Sequence, residues 1–419
     1  MLNYIDLKYK PSLDDVIVEY FVEPNKISVS EAAEQIAAES SIGTWTSIVT
    51  MSPKIAKKLK PTVFSIKGSY IKIAYPPELF EYDNIPQILS AVAGNVFGMK
   101  LLKNLRLEDI SLPKKIVDKY KGPAFGIQGV RKIVGVKNRP LVGTIVKPKV
   151  GLSAKEHAQV AKHAWVGGCD VVKDDENLTD QSFNRFEDRV IHTIDARNKA
   201  EDMTGEKKVY MPNITAETQE MIKRAEFVKK SGGRYIMIDI LTAGWSAVQT
   251  IRNLNLGLVI HAHRAMHAAL TRNPKHGISM LTISKLSRLV GVDQLHIGTV
   301  VGKMEGSSAE VMGCEIEIEE RIVQPNKNIH CLEQRWYNLK PTFAVCSGGL
   351  HPGMVPDLIK MMGKNIIIQM GGGIHGHPLG TLKGAQAARQ AVDAVLKKKS
   401  LKKYAISHSE LKKALEKWS

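Results

Sequence analysis

Eight short runs rich in β-branched residues, each followed by a helical stretch, recur at 141–146, 170–172, 209–212, 235–240, 257–260, 294–296, 343–345 and 366–369. The stretch to about residue 122 lacks this rhythm and mixes strand-like and helix-like segments. Lysines, carboxylates, histidines and glycines recur just after the strand runs. These three observations predict an α/β protein, with a C-terminal (β/α)8 (TIM) barrel preceded by a smaller α+β, ferredoxin-like N-terminal domain. The predicted domains are 1–122 and 123–419.

Within the first domain, residues 16–22 are β-branched and aromatic, as a strand requires. Ser28-Val29-Ser30 opens a helical run, with Ser30 expected as the N-cap before Glu31 to Glu39. Residues 65–67 and 70–74 read as further strands and 85–93 as a helix. The stretch 113–129, with Gly122 and Pro123, reads as the crossover between domains.

Composition narrows the function classes. The chain has 419 residues, 43% hydrophobic and 24% charged, the balance of an ordinary globular protein. Its start has no signal-peptide pattern, and no apolar run reaches the length of a membrane span, so no membrane partner is expected. The cysteines Cys169, Cys314, Cys331 and Cys346 form no Cys-x-x-Cys pair, which fits reduced thiols in a cytoplasmic protein. The net charge is +17, yet the lysines are dispersed and only 6% of residues are aromatic, so nucleic acid is not an expected partner. The densest basic cluster, Lys397 to Lys403, reads as a solvated helix face.

The second strand run ends in Lys173-Asp174-Asp175-Glu176. Alternation along a strand points Lys173 and Asp175 the same way, and Glu176 can swing back from the loop. Two carboxylates make an incomplete oxygen cage for a hard cation such as Mg2+, and an ammonium among them repels the metal. The set makes sense as a metal site if the amine is converted to an anion, for example a carbamate formed with CO2. Taken alone, these residues favour a structural ion-pair cluster. What outweighs that reading is the rim: Lys147, Lys173, Asp175, Glu176, His263, Arg264, His296, Ser347 and Gly371 all fall at or just after a strand end, where barrel enzymes build their sites. Burial and the neighbouring Lys147 and Lys149 are expected to lower the pKa of Lys173 and so favour the neutral amine. An isolated Lys147-Pro148-Lys149 reads as two solvated lysines, and metal binding by His261 and His263 is a competing idea without a completing carboxylate.

Together with Gly143 to Lys149, His261 to His267, His296 to Gly306, Ser347-Gly348-Gly349 and Gly371-Gly372-Gly373, these motifs resemble the large subunit of ribulose-1,5-bisphosphate carboxylase/oxygenase (RuBisCO), from about residue 15 to about residue 390. The resemblance implies a carboxy-lyase that converts D-ribulose 1,5-bisphosphate, CO2 and water to two 3-phosphoglycerate, with O2 as a competing substrate, through an enediolate held by Mg2+. It identifies Lys173 as the carbamylated residue, with activator CO2, and Asp175 and Glu176 as its fellow metal ligands. Lys147 takes part in proton transfer and Lys149 supports it, while His263 lies near the reacting carbons. Arg264, His296 and Ser347 hold one phosphate. Gly348, Gly349, Gly371 and Gly372 cradle the other with backbone N–H groups. Lys303 belongs to a closing loop and pairs with Glu39, Thr44 and Trp45 help hold a phosphate, and Asn95 binds near the metal. His267 is expected to be a structural hydrogen-bonding histidine.

Because Glu39, Thr44, Trp45 and Asn95 are lent to a neighbouring subunit in this family, the resemblance implies a homodimer with shared sites, with further assembly left open and no small subunit. Plant-type members carry Thr where this chain has Ile145, and the tail from Lys402 matches no loop latch. Both features, with the chain length, resemble the archaeal (form III-like) type, which is linked to AMP and nucleotide salvage. The alternative is a RuBisCO-like enolase or isomerase of sulfur salvage.

Overall fold

The computed structural model describes residues 2–44, 46, 48–301 and 308–418. Trp45, Lys303 and the rest of the expected closing loop at 302–306 lie outside them. The chain forms two compact units. The first joins Met1–Gly122 with Met266–Leu289 and Glu320–Leu339, and the second comprises Pro123–Ala265, Val290–Glu319 and Lys340–Ser419. The division is thus finer than one break near residue 122, since two later segments join the first unit.

In the first unit, the strand Val16–Pro24 is central, flanked antiparallel by Tyr70–Tyr75 and Leu102–Ser111. Thr62–Lys67 continues the sheet beyond Tyr70–Tyr75, and Gly277–Ile278 adds a short parallel edge beside Leu102–Ser111. Val16, Val18, Tyr20 and Val22 are fully buried, the period-2 face of a half-covered strand. The helix Val29–Glu39 covers it with Ala32, Ala33, Ile36 and Ala37. Its N-cap is Ser28, not Ser30. The Ser28 hydroxyl accepts from Glu31 N–H while the Glu31 carboxylate accepts from Ser28 N–H, and that reciprocal pair needs a spacing of three residues. The helix Ile85–Ala93 forms over the expected residues. Lys285 donates to both oxygens of Asp109 at 2.8 and 2.9 Å, a buried pair that ties the 266–289 segment to the sheet.

The second unit contains an eight-stranded parallel barrel. Its strands are Leu141–Ile145, Val171–Lys173, Val209–Met211, Tyr235–Asp239, Val259–His263, Gln294–Gly298, Phe343–Ser347 and Ile366–Gln369, hydrogen-bonded in chain order with the eighth against the first. The ring closes where Ile214 N–H and Met237 N–H donate to Met237 and Pro212 carbonyls between the third and fourth strands. All eight runs read from the sequence form strands, with ends shifted by at most three residues. The interior positions Leu141, Val171, Val259, Phe343, Val345 and Ile367 pack into one cluster. Each such buried side chain stabilises by roughly 1.5–3 kcal/mol.

The stretch expected as a crossover contains the helix Gly126–Val134, whose Ile127, Val130 and Val134 close the lower end of that core. At the C-terminus, Lys402 and Lys403 lie on the short helix Leu401–Ala405, whereas Lys397 to Lys399 occupy the exposed turn before it. The last helix, Ser409–Trp418, packs on Gly380–Leu396, with Glu410 held by Lys383 and Gln390. No helix among the described residues is long and apolar enough to cross a membrane, and the four cysteines are buried.

Candidate active site

The period-2 pattern that fills the barrel core changes chemistry at the upper ends of the strands. Two residues above Val171 stands Lys173, above Val345 stands Ser347, above Ile367 stands Gln369, and above Val259 stand His261 and His263. Register places Lys173 beside Ile145 and Met211, and Ser347 beside Gln369.

Lys173 is 1% exposed. Its Nζ donates to the Asp174 carbonyl at 2.9 Å and to Glu176 Oε2 at 3.3 Å, and lies 3.4 Å from Met237 Sδ. Burial lowers its pKa, against the pull of Glu176, Asp175 and Asp239. The two lysines invoked from the sequence are not the cause. Lys147 Nζ instead bonds Asp175 Oδ2 at 2.6 Å, and Lys149 is exposed. For Glu176, burial alone would raise the pKa, but Lys173 and His263 outweigh it and bring it down to about 2. The carboxylates of Asp175 and Glu176 are therefore drawn toward the two lysines and His263 rather than into solvent.

Asp174 faces the other way, as alternation requires. Its Oδ2 accepts from Arg189 Nε at 3.0 Å and Asn213 N–H at 2.9 Å, and its Oδ1 from the Tyr210 hydroxyl at 2.7 Å. Arg189 also donates to the carbonyls of Asn184 and Thr179, so this buried cluster anchors the turn that carries Asp175 and Glu176.

His263 Nδ1–H donates to Asp239 Oδ1 at 2.6 Å, which turns Nε2 toward Glu176 Oε2 at 3.6 Å. His296 Nδ1 lies 2.8 Å from Ser347 Oγ. Arg264 packs against Gly298, where φ is +98° and a Cβ would come within 2.8 Å of its guanidinium. Gly348 and Gly349 have φ of +119° and +70°, conformations that side chains disfavour. A Cβ on Gly373 would meet the Leu350 carbonyl at 2.2 Å, so the turns after the seventh and eighth strands pack backbone to backbone. Gly371 lies beside the Lys147 stem, 3.4 Å from a would-be Cβ to Cε.

The second unit thus brings together Lys147, Lys173, Asp175, Glu176 and His263, and carries Arg264, His296, Ser347 and the two glycine turns on the same strand ends. Glu39, Thr44 and Asn95 lie in the first unit, at a helix end, in the following loop and at the start of a short turn. Thr44 lines a cleft of about 260 Å³ with Tyr4, Glu34 and Thr46. His267 shares a 3.1 Å hydrogen bond with Thr271, the structural role expected of it. His261 is fully buried, sits between Gln294 and His296, and meets no carboxylate among the described residues.

Asp239 was missed by sequence reasoning, although it ends the fourth strand on the same rim. Gln369 was missed as well. It is 1% exposed, and neither end of its carboxamide has a partner among the described residues. The donor set fits a hard divalent cation on chemical grounds: Asp175 and Glu176 supply oxygens, and the buried amine with a lowered pKa is the kind that CO2 converts to a third.

Fold and site together point to a barrel enzyme: a buried lysine stands between carboxylates at the strand ends, with glycine turns on the same rim. The sequence matches the ribulose bisphosphate carboxylase large chain catalytic domain over residues 126–418 and its N-terminal domain over residues 3–116. The chain belongs to the RuBisCO large-chain family, a family of carboxy-lyases. It is 53% identical to the ribulose bisphosphate carboxylase of Methanosarcina mazei, over 99% of both chains, and 51% identical to that of Methanocaldococcus jannaschii, over 100% of both. Among solved structures, the dimeric archaeal Rubisco of Hyperthermus butylicus matches with a TM-score of 0.93 at 46% identity, covering 99% of this chain and 98% of that one. The octameric Rubisco of Pyrococcus horikoshii matches at 0.92 and 49% identity, covering 99% and 96%.

Proposed function

We propose that the chain carboxylates D-ribulose 1,5-bisphosphate, consuming CO2 and water and yielding two molecules of 3-phosphoglycerate. The observation that carries this reading is the meeting of Lys173, Asp175, Glu176 and Lys147 on a rim that also bears two groups suited to phosphate.

Lys173 is the residue for CO2 activation. Its neutral amine attacks the carbon of CO2 and loses one proton, leaving a carbamate, and the lowered pKa supports that step. Asp175, Glu176 and carbamylated Lys173 would hold Mg2+, which when bound supplies electrophilic polarisation of adjacent substrate oxygens. Arg264, His296 and Ser347 take one phosphate, with Arg264 suited to a bidentate grip. The N–H groups of Gly348, Gly349, Gly371 and Gly372 take the other. Fixing both ends of the bisphosphate orients the carbons between them.

The sequence of steps is enolisation at C3, CO2 addition at C2, hydration, cleavage of the C2–C3 bond and reprotonation. Lys147, within reach of the metal-binding carboxylates, delivers the last proton, and Lys149 supports it. His263, oriented by Asp239, borders the reacting carbons. Lys303 on the closing loop would exclude water and pair with Glu39.

The enediolate also reacts with O2, giving oxygenation as a side reaction. Thr44, Trp45 and Asn95, with Glu39, complete the site from a neighbouring subunit, so the working unit is a homodimer without small subunits. The dimeric and octameric archaeal relatives support an assembly of large chains alone. Nucleotide salvage, feeding the ribose of AMP into central metabolism in the cytoplasm, is the physiological setting we propose.

The test is Mg2+-dependent incorporation of labelled bicarbonate into acid-stable product with ribulose bisphosphate, without oxygen and beside Lys173→Ala. Product from the wild type alone supports the reading. No product after preincubation with CO2 and Mg2+ overturns it.

A further inference from the structure

Behind His296 and Ser347, the proposed phosphate residues, lie two buried groups that the steps above do not use. Gln294 Oε1 lies 2.8 Å from His261 Nδ1, His261 Nε2 lies 2.9 Å from His296 Nε2, and His296 Nδ1 lies 2.8 Å from Ser347 Oγ. Gln294 and His261 are both 0% exposed. Burial pushes the pKa of His261 down to about 3 and that of His296 well below the ordinary imidazole value. Each ring therefore carries one proton, with one nitrogen as donor and the other as acceptor.

A row of such rings has two self-consistent directions, and the carboxamide at its inner end selects between them. With the Gln294 oxygen facing His261, His261 Nδ1–H donates to it, His296 Nε2–H donates to His261, and the Ser347 hydroxyl donates to His296. Every proton then points inward, and Ser347 turns only lone pairs toward the rim. With the carboxamide turned over, Gln294 Nε2 donates to His261 Nδ1, His261 Nε2–H donates to His296, and His296 Nδ1–H donates to Ser347. The Ser347 proton is then released toward the rim.

A phosphate dianion only accepts hydrogen bonds, so the second direction alone suits it. Gln294 supplies an independent sign. Its Nε2 is buried and has no partner among the described residues while the oxygen faces His261. Turning the carboxamide over gives that donor an acceptor and leaves the carbonyl oxygen unmet, so neither direction satisfies both ends of Gln294 and an anion at Ser347 can select between them.

We propose that Gln294 and His261 are positioning residues that set the proton direction of the His296–Ser347 pair, and that a phosphate monoester dianion arriving at Ser347 reverses it. This deepens the proposed function and rests on its placement of a phosphate at Ser347. Neither residue reaches substrate, and both act through His296.

The test reads ring protonation directly. Imidazole 15N shifts distinguish the protonated nitrogen from the bare one. The full-length chain is labelled with 15N-histidine, and the two rings are assigned with His261→Gln and His296→Asn. Without ligand, the His261 proton is expected on Nδ1 and the His296 proton on Nε2. With saturating inorganic phosphate, both protons move to the other nitrogen. Gln294→Leu, which can neither donate nor accept, is expected to abolish the switch. It should also raise KM for ribulose bisphosphate roughly tenfold, about the worth of one hydrogen bond to a charged group, with kcat within about twofold. Tautomers that stay unchanged under saturating phosphate overturn the proposal, even where carboxylation is intact. So does a folded Gln294→Leu protein with wild-type KM. A phosphate-driven switch in a chain that fails to carboxylate would sustain the relay while removing the substrate reading.

Discussion

The turn that carries Asp175 and Glu176 is anchored by a residue that takes no part in the chemistry, and Asp174→Asn tests how much that anchor holds. Asp174 and Arg189 are each 0% exposed, with Nε and Oδ2 3.0 Å apart. The substitution keeps the shape but removes the charge, leaving the Arg189 guanidinium buried among neutral partners. Loss of one partner from a buried ion pair costs about 3–5 kcal/mol. An unfolding entropy of about 2.1 cal/mol/K per residue gives a chain of this length ~0.9 kcal/mol/K, so Tm should fall by about 3–6 °C.

The pH dependence has a defined sign. Burial alone would raise the Asp174 pKa, but Arg189 and the facing hydrogen bonds outweigh it and hold it well below the usual carboxylate range. A depressed carboxyl stabilises fully above its unfolded value of about 3.9 and loses that contribution as pH falls toward its folded value. The gap between wild type and variant should therefore narrow as pH is lowered from 7 to below about 4. Differential scanning calorimetry across that range measures it, with carboxylation assayed well below the melting point as a second readout. A variant that melts within about 1 °C of wild type at pH 7 would refute the reasoning, as would a gap that widens in acid.

Three further outcomes are expected. Lys147→Met should lower kcat by about 10²–10⁴, the range for a positioned proton donor, while calorimetric binding of ribulose bisphosphate stays within a few-fold; comparable loss in both would reassign Lys147 to binding. Gly298→Ala should raise KM by roughly tenfold, because a Cβ there would come 2.8 Å from Arg264 Nη2 at a φ of +98°, a strained site of about 1–3 kcal/mol; unchanged steady-state kinetics would show that Arg264 tolerates displacement. At fixed dissolved CO2, the activation rate should rise about tenfold per pH unit below the Lys173 pKa and level off above it, since only the neutral amine reacts; an activation rate that falls as pH rises would exclude that amine.

Much of the barrel was legible because its signal is local. Eight β-branched runs with chemistry at their ends need no knowledge of tertiary contacts, and the Lys173-Asp174-Asp175-Glu176 spacing already assigns opposite faces to neighbouring carboxylates. What escaped the sequence depends on pairing between distant strands. Asp239 orients His263 across 24 residues and Gln294 meets His261 across 33, so neither motif predicts its partner. Burial was rightly named as a cause of the lowered Lys173 pKa, but the share given to Lys147 was misjudged for the same reason. Lys147 looked like a repelling neighbour, but the fold spends its charge on Asp175. The two segments that join the first unit were also invisible, because the edge strand Gly277–Ile278 is two residues long and the Asp109–Lys285 pair spans 176 residues.

The proposed site begins where the inward-facing hydrophobic runs of the second, fifth, seventh and eighth strands stop, and that coupling makes strand register a functional variable. In the second strand, Val171 fills the core and Lys173 stands directly above it, while Asp174 is turned outward onto Arg189. A slip of one residue would turn Lys173 outward and bring Asp174 into the barrel. The anchor would then sit in the site, the buried lysine would meet Arg189 with like charge, and Val171 would leave the core cluster. The cost of such a slip is therefore paid at once in apolar burial, charge pairing and chemistry. The short second strand, only three residues long, is held in register as much by the Asp174–Arg189 cluster as by its own ladder. That is why a residue remote from substrate is the one whose loss should disturb both stability and turnover.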